Sequence, residues 1–180
     1  MMSENSREKK DICFVIMPFG DPFDSYWEYI YKPAILKAGL IPKRADDIFR
    51  PGVIIHDIWK SIQEASVILC DITGRNPNVI YELGIAHALG KPVILITQQI
   101  EDIPFDLRHL RHFVYETKSP DWGSKFREEL TKIIISTLAN PMDYIFLSEI
   151  TFSSPYDIQD TYVIIISEKG FEEEVLMEQV

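Results

Sequence analysis

The chain has 180 residues, of which 46% are hydrophobic, so it is long enough and apolar enough to form one ordinary globular domain with its own core. Its 28 acidic and 18 basic residues give a net charge of −10, which argues against general binding to a nucleic-acid backbone or to an anionic membrane. No apolar run approaches the ~18 residues of a membrane span, and the polar start, MMSENSREKKD, is not that of a signal peptide.

The two cysteines indicate the expected redox compartment. Cys13 and Cys70 each fall inside an apolar run that predicts a buried strand. Free cysteine behaves as a small hydrophobic residue in such positions, and disulfides are rare in the cytosol. We therefore predict two buried reduced thiols in a cytoplasmic protein.

The first part of the chain predicts a strand and a helix after a disordered lead-in at residues 1–10. Residues 12–17 form a continuous apolar run that ends in the turn-rich sequence PFGDP, which predicts a buried strand followed by a loop. A helix is predicted over 24–38, because apolar residues recur there at four-residue spacing, and Gly39 ends it. Pro33 lies inside this pattern, so we expect a kink or two shorter helices.

The rest of the chain up to residue 140 continues the alternation of strand and helix patterns. Strands are predicted over 41–45, 67–70, 93–97 and 113–116, and helices over 53–65, 77–89 and 122–138. The central unit has the clearest boundaries: Asn76 is a good helix cap, Pro77 suits the first helical position, and Gly90 and Pro92 prevent continuation. A strand, a helix and a strand of these lengths form a parallel βαβ unit.

Five strands alternating with helices predict an α/β fold, a doubly wound five-stranded parallel sheet with the flavodoxin-like order 2-1-3-4-5. Ligands bind such sheets at the carboxyl ends of the strands, where the winding reverses, which is between strands one and three. The segments 17–21 and 71–82 are therefore expected to line one crevice. We predict that this domain spans 11–140 and that 141–180 is a β-type extension, a hairpin or edge strands, whose apolar run 163–166 invites pairing with another chain.

Glu82 is the unusual residue of the central helix. It is the one acidic residue between 78 and 90, and most of its neighbours are apolar. A helix that is apolar nearly all round is buried on most sides, so its carboxylate is expected to be partly desolvated, at a cost of several kcal/mol without a partner. This predicts a functional site at Glu82. The alternative is that Glu82 only interacts favourably with the positive end of its helix.

Motifs of the commonest enzyme classes are absent from the sequence. There is no GxGxxG after the first strand, no P-loop, no CxxC, no HExxH and no GxSxG. His109 and His112 have helical spacing for a metal pair, but Arg108 and Arg111 beside them favour a solvated polar face. His87 is interpreted as structural. We therefore predict no metal and no cofactor.

The remaining candidates form a carboxylate pair, Asp71 and Glu82, with Asn76 and Asn78 beside them. Carboxylates without a metal or a histidine suit reactions at the anomeric carbon of a sugar, where one attacks or stabilises an oxocarbenium-like centre. Amide side chains are natural partners of ribose hydroxyls. The predicted catalytic residues are Glu82 and Asp71, and the two amides are predicted to hold the sugar.

Residues at the neighbouring strand ends complete the predicted substrate-binding set. Phe19 and Tyr81 could stack on a flat base, and arginines could supply charge for a phosphate, although surface arginines are more often simply solvated. The set is Met17, Phe19, Gly20, Arg44, Asp46, Arg75, Asn76, Asn78 and Tyr81. The predicted partner is a small nucleoside or nucleotide, with no long nucleic acid and no membrane.

At these residues the sequence resembles the nucleoside 2-deoxyribosyltransferase-like superfamily, which is related in fold to Toll/interleukin-1-receptor-like domains. The resemblance covers about 11–138 and rests on MPFG after strand one, ILCDITGRNPN at strand three, and VIYELGIAHALGKPV. It implies that Glu82, in the ELG motif, is a nucleophile that forms a glycosyl ester, and that Asp71 is the strand-end aspartate. Asn76 stands where the family has a second aspartate, in an NPN-x3-ELG variant. Relatives often share pockets across dimers, which implies a homo-oligomer.

Two classes of function follow from the sequence. The first is an N-glycosidic-bond hydrolase or transferase acting on a nucleoside, a nucleotide or an NAD-like substrate through Glu82. The second is a non-catalytic nucleotide-binding module for sensing or assembly, of the Toll/interleukin-1-receptor-like kind. A third reading leaves the crevice vestigial, with Glu82 satisfied by a backbone donor or an arginine.

Overall fold

The computed structural model describes residues 11–45 and 54–146. The predicted lead-in at 1–10, Asp46 and the greater part of the predicted extension, 147–180, lie outside these ranges. No helix within the described ranges is both long enough and apolar enough to cross a membrane.

A five-stranded parallel sheet forms the centre of the described part of the chain. Its strands are β1 (Ile12–Ile16), β2 (Ile41–Arg44), β3 (Val67–Asp71), β4 (Val93–Thr97) and β5 (His112–Val114). They pair in the order β2-β1-β3-β4-β5, and all four pairings are parallel. The predicted fold class and strand order are therefore confirmed.

Helices pack on both faces of the sheet, as a doubly wound fold requires. They are α1 (Phe23–Tyr26), α2 (Lys32–Lys37), α3 (Ile54–Glu64), α4 (Pro77–Ala88) and α5 (Trp122–Ala139). One apolar layer contains residues of α2 and α5 together with Val15, Leu69 and Ile94 of the sheet. The other layer contains residues of α3 and α4 together with Phe14, Ile68 and Cys70.

The predicted first helix is interrupted by a π-helical turn, Trp27–Tyr31, between α1 and α2. The amide of Lys32 donates to the carbonyl of Trp27, five residues earlier, rather than four residues earlier as in an α-helix. Pro33 follows directly and has no N–H group of its own to donate. The expected interruption near Pro33 therefore takes the form of a widened turn, and that turn contains the buried side chains of Trp27 and Tyr31.

Alternation along β3 determines which layer each of its side chains enters. Val67 and Leu69 lie in the α2–α5 layer, and Ile68 and Cys70 lie in the α3–α4 layer. Because side chains alternate along a strand, Asp71 continues the series on the α2–α5 side. β3 thus ends with a carboxylate on one face and a thiol on the other, at the carboxyl edge of the sheet.

Of the predicted β-type extension, the structure describes only residues 141–146. Pro141–Tyr144 form a 3₁₀ turn, and Ile145 makes an isolated antiparallel bridge with Pro92. Tyr144 is buried, and its hydroxyl accepts a hydrogen bond from Arg111 at 3.2 Å. The backbone carbonyls of Ser136, Asn140 and Met142 accept hydrogen bonds from the amides of Asn140, Asp143 and Ile145, and these bonds stabilise the compact turn after α5.

Candidate functional site

The Asp71 carboxylate at the end of β3 is completely buried and is surrounded by donors. Its Oδ2 accepts hydrogen bonds from the hydroxyls of Tyr31 and Tyr115, each at 2.7 Å. Its Oδ1 accepts from the Thr73 hydroxyl at 2.6 Å and from the Thr73 amide at 3.0 Å. Burial raises the pKa of Asp71, and these four hydrogen bonds oppose the rise. All four partners are neutral donors, which fits an ionised carboxylate that accepts only.

All four hydrogen bonds of the Asp71 carboxylate are therefore made within the protein, and none is directed to an open cleft. Asp71 fixes the start of the loop between β3 and α4 through Thr73, and it fixes two aromatic rings on the α2–α5 side. The predicted direct contact of Asp71 with a sugar or a base stays a prediction. The contacts observed here favour a positioning role, in which Asp71 acts through Thr73 and the two tyrosines.

Helix α4 begins directly after this loop, with its amino end at the carboxyl edge of the sheet. The Oδ1 of Asn76 accepts a hydrogen bond from the Asn78 amide at 2.9 Å and one from the Val79 amide at 3.5 Å, so Asn76 is the helix cap. Its amide oxygen is thus engaged by the backbone. The Asn78 side chain is exposed and lies four residues before Glu82, so both are on the same side of the helix.

Glu82 lies in the second turn of α4 and is partly buried. No hydrogen bond or ion pair joins its carboxylate to any residue that the structure describes. Burial raises its pKa to about 7, and desolvation is the cause. A carboxylate that is partly removed from water and has no donor among the described residues is ready to accept one from a ligand.

Asp71 and Glu82 approach the end of β3 from opposite faces of the sheet. Cys70 directly precedes Asp71 and packs in the α3–α4 layer; burial raises the pKa of its thiol, and the negative charges of Asp71 and Glu82 raise it further. The structure thus brings the two predicted catalytic carboxylates to the same strand end. Asp71 is completely buried, whereas Glu82 is only partly buried.

The segment after β1 and the end of β2 form a second group at this edge. Arg44 is buried, donates to Asp24 at 2.8 Å, and has the rings of Phe19 and Trp27 each 5.4 Å from its guanidinium carbon. Arg44 is therefore held by an acid and two aromatic rings. Phe19 remains 59% exposed, which leaves much of its ring accessible for stacking.

Other predicted binding residues have mixed positions. Met17 is buried, Gly20 adopts a φ of +85° that favours glycine, and Tyr81 is 61% exposed on α4. Arg75 follows Gly74 in a 3₁₀ turn and also has a positive φ, 56°. Asp46 lies outside the described residues.

The Arg75 side chain is directed toward the loop after β4. Its guanidinium donates to the carbonyl of Glu101 and lies 4.0 Å from the carboxylate of Asp102. Asp102 also accepts from the Gly74 amide at 2.9 Å. These contacts clamp the β3–α4 loop to the next loop along the sheet edge, so Arg75 has a structural use beside its predicted role with phosphate.

Four polar residues at this edge were not predicted from the sequence: Tyr26, Tyr31, Gln98 and Tyr115. The Nε2 of Gln98 donates to the Tyr115 hydroxyl at 3.1 Å, and the backbone N–H of Gln98 donates to the Thr73 hydroxyl at 3.0 Å. One signal was available, because Gln98 and Tyr115 each come directly after a predicted strand or at its end. A polar residue at a strand end thus indicates a candidate site residue, as it does for Asp71.

The histidines have local partners rather than a shared ligand. Nδ1 of His112 lies 2.8 Å from the carbonyl oxygen of Leu110, and His87 stacks on Phe146 with ring centroids 5.1 Å apart. Burial lowers the pKa of His87 to about 4, so it is neutral at physiological pH. Within residues 11–45 and 54–146, no group of three potential metal ligands occurs.

Replacing Glu82 with Gln is expected to stabilise the protein above neutral pH. Burial raises the pKa of Glu82 from 4.5 to about 7 in the folded protein. The folded state therefore gains its full stability from this group below pH 4.5, where the carboxyl is protonated in both states, and it loses that stability as the pH rises through 7. Allowing for solvent screening of a partly exposed group, we expect a gain of about 1–2 kcal/mol at pH 8 and almost none at pH 4.5. Urea denaturation of both proteins at the two pH values measures this.

The exposed Glu129 of α5 provides the matched control for this measurement. Glu129→Gln removes a carboxylate from water-exposed helix surface, and its effect is expected to stay within about 0.5 kcal/mol at both pH values. Equal stability changes for Glu82→Gln at pH 4.5 and pH 8 would contradict a desolvated Glu82.

Comparisons with known proteins identify structural neighbours. No protein-family model and no curated protein sequence matches the chain. A 2-deoxyribosyltransferase from Leishmania mexicana is similar over 66% of this chain and 97% of its own, with 17% identity and a TM-score of 0.48. A CMP N-glycosidase from Clostridium botulinum is similar over 70% of this chain and 99% of its own, with 16% identity and a TM-score of 0.52. At this identity, the second likeness shows a shared α/β fold.

Proposed function

We propose that this protein cleaves the N-glycosidic bond of a nucleoside or nucleotide, as a hydrolase or a transferase, with Glu82 as the nucleophile. The observation that carries the proposal is the Glu82 carboxylate, which is partly desolvated, has no partner among the described residues and lies near the end of β3. The names of the two structural neighbours, a 2-deoxyribosyltransferase and a CMP N-glycosidase, support the same kind of chemistry.

The reaction needs one carboxylate that is ionised when substrate binds. An oxygen of Glu82 attacks the anomeric carbon, the C–N bond breaks, and its electron pair leaves with the base, which takes up a proton from water. Water, or the hydroxyl or nitrogen of an acceptor, then attacks the glycosyl ester, and the Glu82 carboxylate is regenerated. A pKa of about 7 suits this cycle, because half of the carboxyl groups are ionised at neutral pH.

Neighbouring side chains supply the binding contacts. Asn78 is on the same side of α4 as Glu82 and is exposed, so its amide is the better candidate of the two asparagines for ribose hydroxyls. Asn76 caps the helix and holds the loop that positions α4. Phe19 and Tyr81 have the exposed ring surface that stacking on a base requires.

One observation favours a second candidate, a nucleotide-binding module without turnover. Asp71 has all four of its hydrogen bonds inside the protein, and Asn76, which stands where the resembling family has an aspartate, carries an amide that cannot act as an acid. A neutral base is a poor leaving group unless an acid protonates it. A substrate whose base is already cationic, as in an NAD-like molecule, does not have this requirement.

Incubation with a panel of nucleosides, nucleotides and NAD distinguishes the two candidates. Chromatographic detection of free base supports the enzyme, with water or a second base as the acceptor. Calorimetric binding without base release over hours supports the binding module, and a ligand-dependent mass in size-exclusion chromatography supports assembly into the predicted homo-oligomer. Neither binding nor base release with any member of the panel contradicts both.

The pH profile of the cleavage reaction should follow the ionisation of Glu82. We expect kcat/KM to rise about tenfold per pH unit below 7 and to level off above it, because the free-enzyme nucleophile must be deprotonated. Initial rates between pH 5 and pH 9 on a substrate without its own ionisation in that range measure the profile. A profile that is flat from pH 5.5 to pH 8 contradicts the assignment of Glu82.

A further inference from the structure

The β3–α4 loop, residues 73–76, is fixed at its start by a single threonine. The Thr73 amide and hydroxyl both donate to Oδ1 of Asp71, at 3.0 Å and 2.6 Å. A backbone N–H can only donate, so the bond of 3.0 Å between the Gln98 amide and the Thr73 hydroxyl runs from Gln98 to Thr73. The Thr73 hydroxyl thus donates to the end of β3 and accepts from the residue that follows β4.

The next two residues of the β3–α4 loop are tied to the β4 loop, residues 98–102. The Gly74 amide donates to Oδ2 of Asp102 at 2.9 Å, and the guanidinium of Arg75 donates to the carbonyl of Glu101. The Asp102 side chain is 17% exposed, so its contact with the amide is partly shielded from water. Hydrogen bonds therefore join the two loops at successive residues.

The backbone of the β3–α4 loop has a strained conformation at this point. Gly74 and Arg75 both have a positive φ, 75° and 56°. Glycine adopts this region readily, whereas the Cβ of a residue such as Arg75 makes it unfavourable. Strained residues persist where surrounding contacts fix them, and they cluster at functional sites. The contacts of Arg75 and Asp102 with the neighbouring loop provide that fixation.

The β3–α4 loop continues directly into α4, which carries Glu82. The helix begins at Pro77, after the cap Asn76, and Glu82 lies five residues further, about 7.5 Å along the axis. The buried side chains of this part of α4, Val79 and Leu83, pack in an apolar layer, and apolar contacts have no preferred direction. The hydrogen bonds of the loop are directional, so they determine how far α4 is rotated about its axis.

We propose that Thr73 and Asp102 are positioning residues for Glu82, because they hold the β3–α4 loop against the β4 loop and, through α4, determine where the Glu82 carboxylate lies. Neither residue is assigned a contact with substrate. The expected effect on turnover rests on the proposed function, since it concerns the same site. The expected effect on Glu82 itself does not need turnover. A misplacement of about 1 Å at a reacting group costs about a hundredfold in rate.

Substitutions of Thr73 test the effect on turnover. Thr73→Val keeps the shape of the side chain and removes both hydrogen bonds of the hydroxyl. We expect kcat for base release to fall about thirtyfold and substrate affinity to change less than about threefold, because the nucleophile is displaced while ground-state contacts remain. Thr73→Ser retains the hydroxyl and is expected to restore kcat to within about threefold of the unaltered protein. Single-turnover chromatography and calorimetry measure the two quantities.

Asp102→Ala tests the same role from the other loop. It removes the acceptor of the Gly74 amide, and we expect kcat to fall about tenfold. Asp102 lies in a surface turn, Ile100–Asp102, so this variant remains informative if Thr73→Val unfolds the protein. Asp102→Asn keeps an oxygen acceptor and is expected to retain most of the rate.

The pKa of Glu82 provides a readout that does not depend on turnover. Burial raises this pKa to about 7. A displaced α4 brings water to the carboxylate, so in Thr73→Val we expect the pKa of Glu82 to fall toward its ordinary value of 4.5, by about half a pH unit or more. Thr73→Ser is expected to leave it near 7. NMR titration of ¹³C-labelled glutamate carboxyl groups, assigned by comparison with Glu82→Gln, measures it.

Thr137→Val is the matched control. Thr137 is a buried threonine of α5, on the other face of the sheet from α4, and its hydroxyl donates to the carbonyl of Ile133 at 2.9 Å. The same substitution there removes a buried hydrogen bond without changing the β3–α4 loop. It is expected to keep kcat within about twofold and the pKa of Glu82 unchanged. Equal losses of kcat in Thr73→Val and Thr137→Val indicate general destabilisation and overturn the inference.

The two readouts separate this inference from the proposed function. A lowered pKa of Glu82 in Thr73→Val, in a protein that releases no base, supports the positioning role and contradicts the proposed enzyme. If the unaltered protein releases base, full kcat in both Thr73→Val and Asp102→Ala overturns the positioning role and leaves the enzyme in place. If it releases none, an unchanged pKa of Glu82 in both variants overturns the positioning role.

Discussion

Glu82→Gln is expected to lower the rate of base release by about a thousandfold or more while substrate affinity changes less than about threefold. The amide has nearly the same shape as the carboxylate, but it cannot form the glycosyl ester, so the loss falls on kcat and leaves ground-state binding in place. Single-turnover chromatography of the released base measures kcat, and calorimetry measures affinity.

The control is again Glu129→Gln, which removes an exposed carboxylate on α5 and is expected to keep full activity. The result gains specificity from the stability measurement described above, because the same Glu82→Gln protein should be more stable at pH 8. A substitution that raises stability and abolishes turnover indicates that the wild-type residue serves function at the expense of stability. Unchanged base release in Glu82→Gln contradicts the nucleophile assignment.

Asp71→Leu is expected to destabilise the fold by about 4 kcal/mol or more at pH 7. It removes the acceptor of four hydrogen bonds and leaves the buried hydroxyls of Tyr31 and Tyr115 without their partner, at a cost of about 1–3 kcal/mol for each orphaned group. Urea denaturation monitored by tryptophan fluorescence gives the free energy of unfolding.

The exposed Asp106 is the matched site, and Asp106→Leu is expected to change stability by less than about 0.5 kcal/mol. A double substitution identifies the cause. In the Asp71→Leu background, adding Tyr115→Phe removes one orphaned hydroxyl and is expected to be neutral or stabilising, whereas Tyr115→Phe by itself destabilises the unaltered protein. A loss below about 1 kcal/mol for Asp71→Leu contradicts this account of the network.

Local sequence patterns predict most of the fold. β4 has the predicted bounds, and β1, β2 and β3 differ from the prediction by one residue at one end. The strand order followed from the alternation of strands and helices. β5 begins one residue earlier than the predicted 113–116 and ends two residues earlier, at Val114.

Site residues could be predicted from the sequence only where their immediate neighbours in the chain make them unusual. Glu82 stood out because it interrupts an apolar helix, and Asp71 because it ends an apolar strand. Their partners could not be derived in this way, since Tyr31 and Tyr115 are 40 and 44 residues from Asp71 in sequence. No local pattern encodes such pairs. The sequence did predict that Asn76 caps helix α4. In that role its side-chain oxygen accepts hydrogen bonds from backbone amides of the helix.

The π-helical turn before Pro33 makes the length of this segment as important as its composition. Tyr31 reaches Asp71 from within that widened turn, where one additional residue shifts every later side chain by about 100° around the axis. Removing a single residue there would restore regular winding and rotate the phenol away from the carboxylate. Insertions and deletions in this segment are thus expected to be more damaging than most substitutions, because the number of residues between β1 and β2 determines whether Tyr31 reaches Asp71.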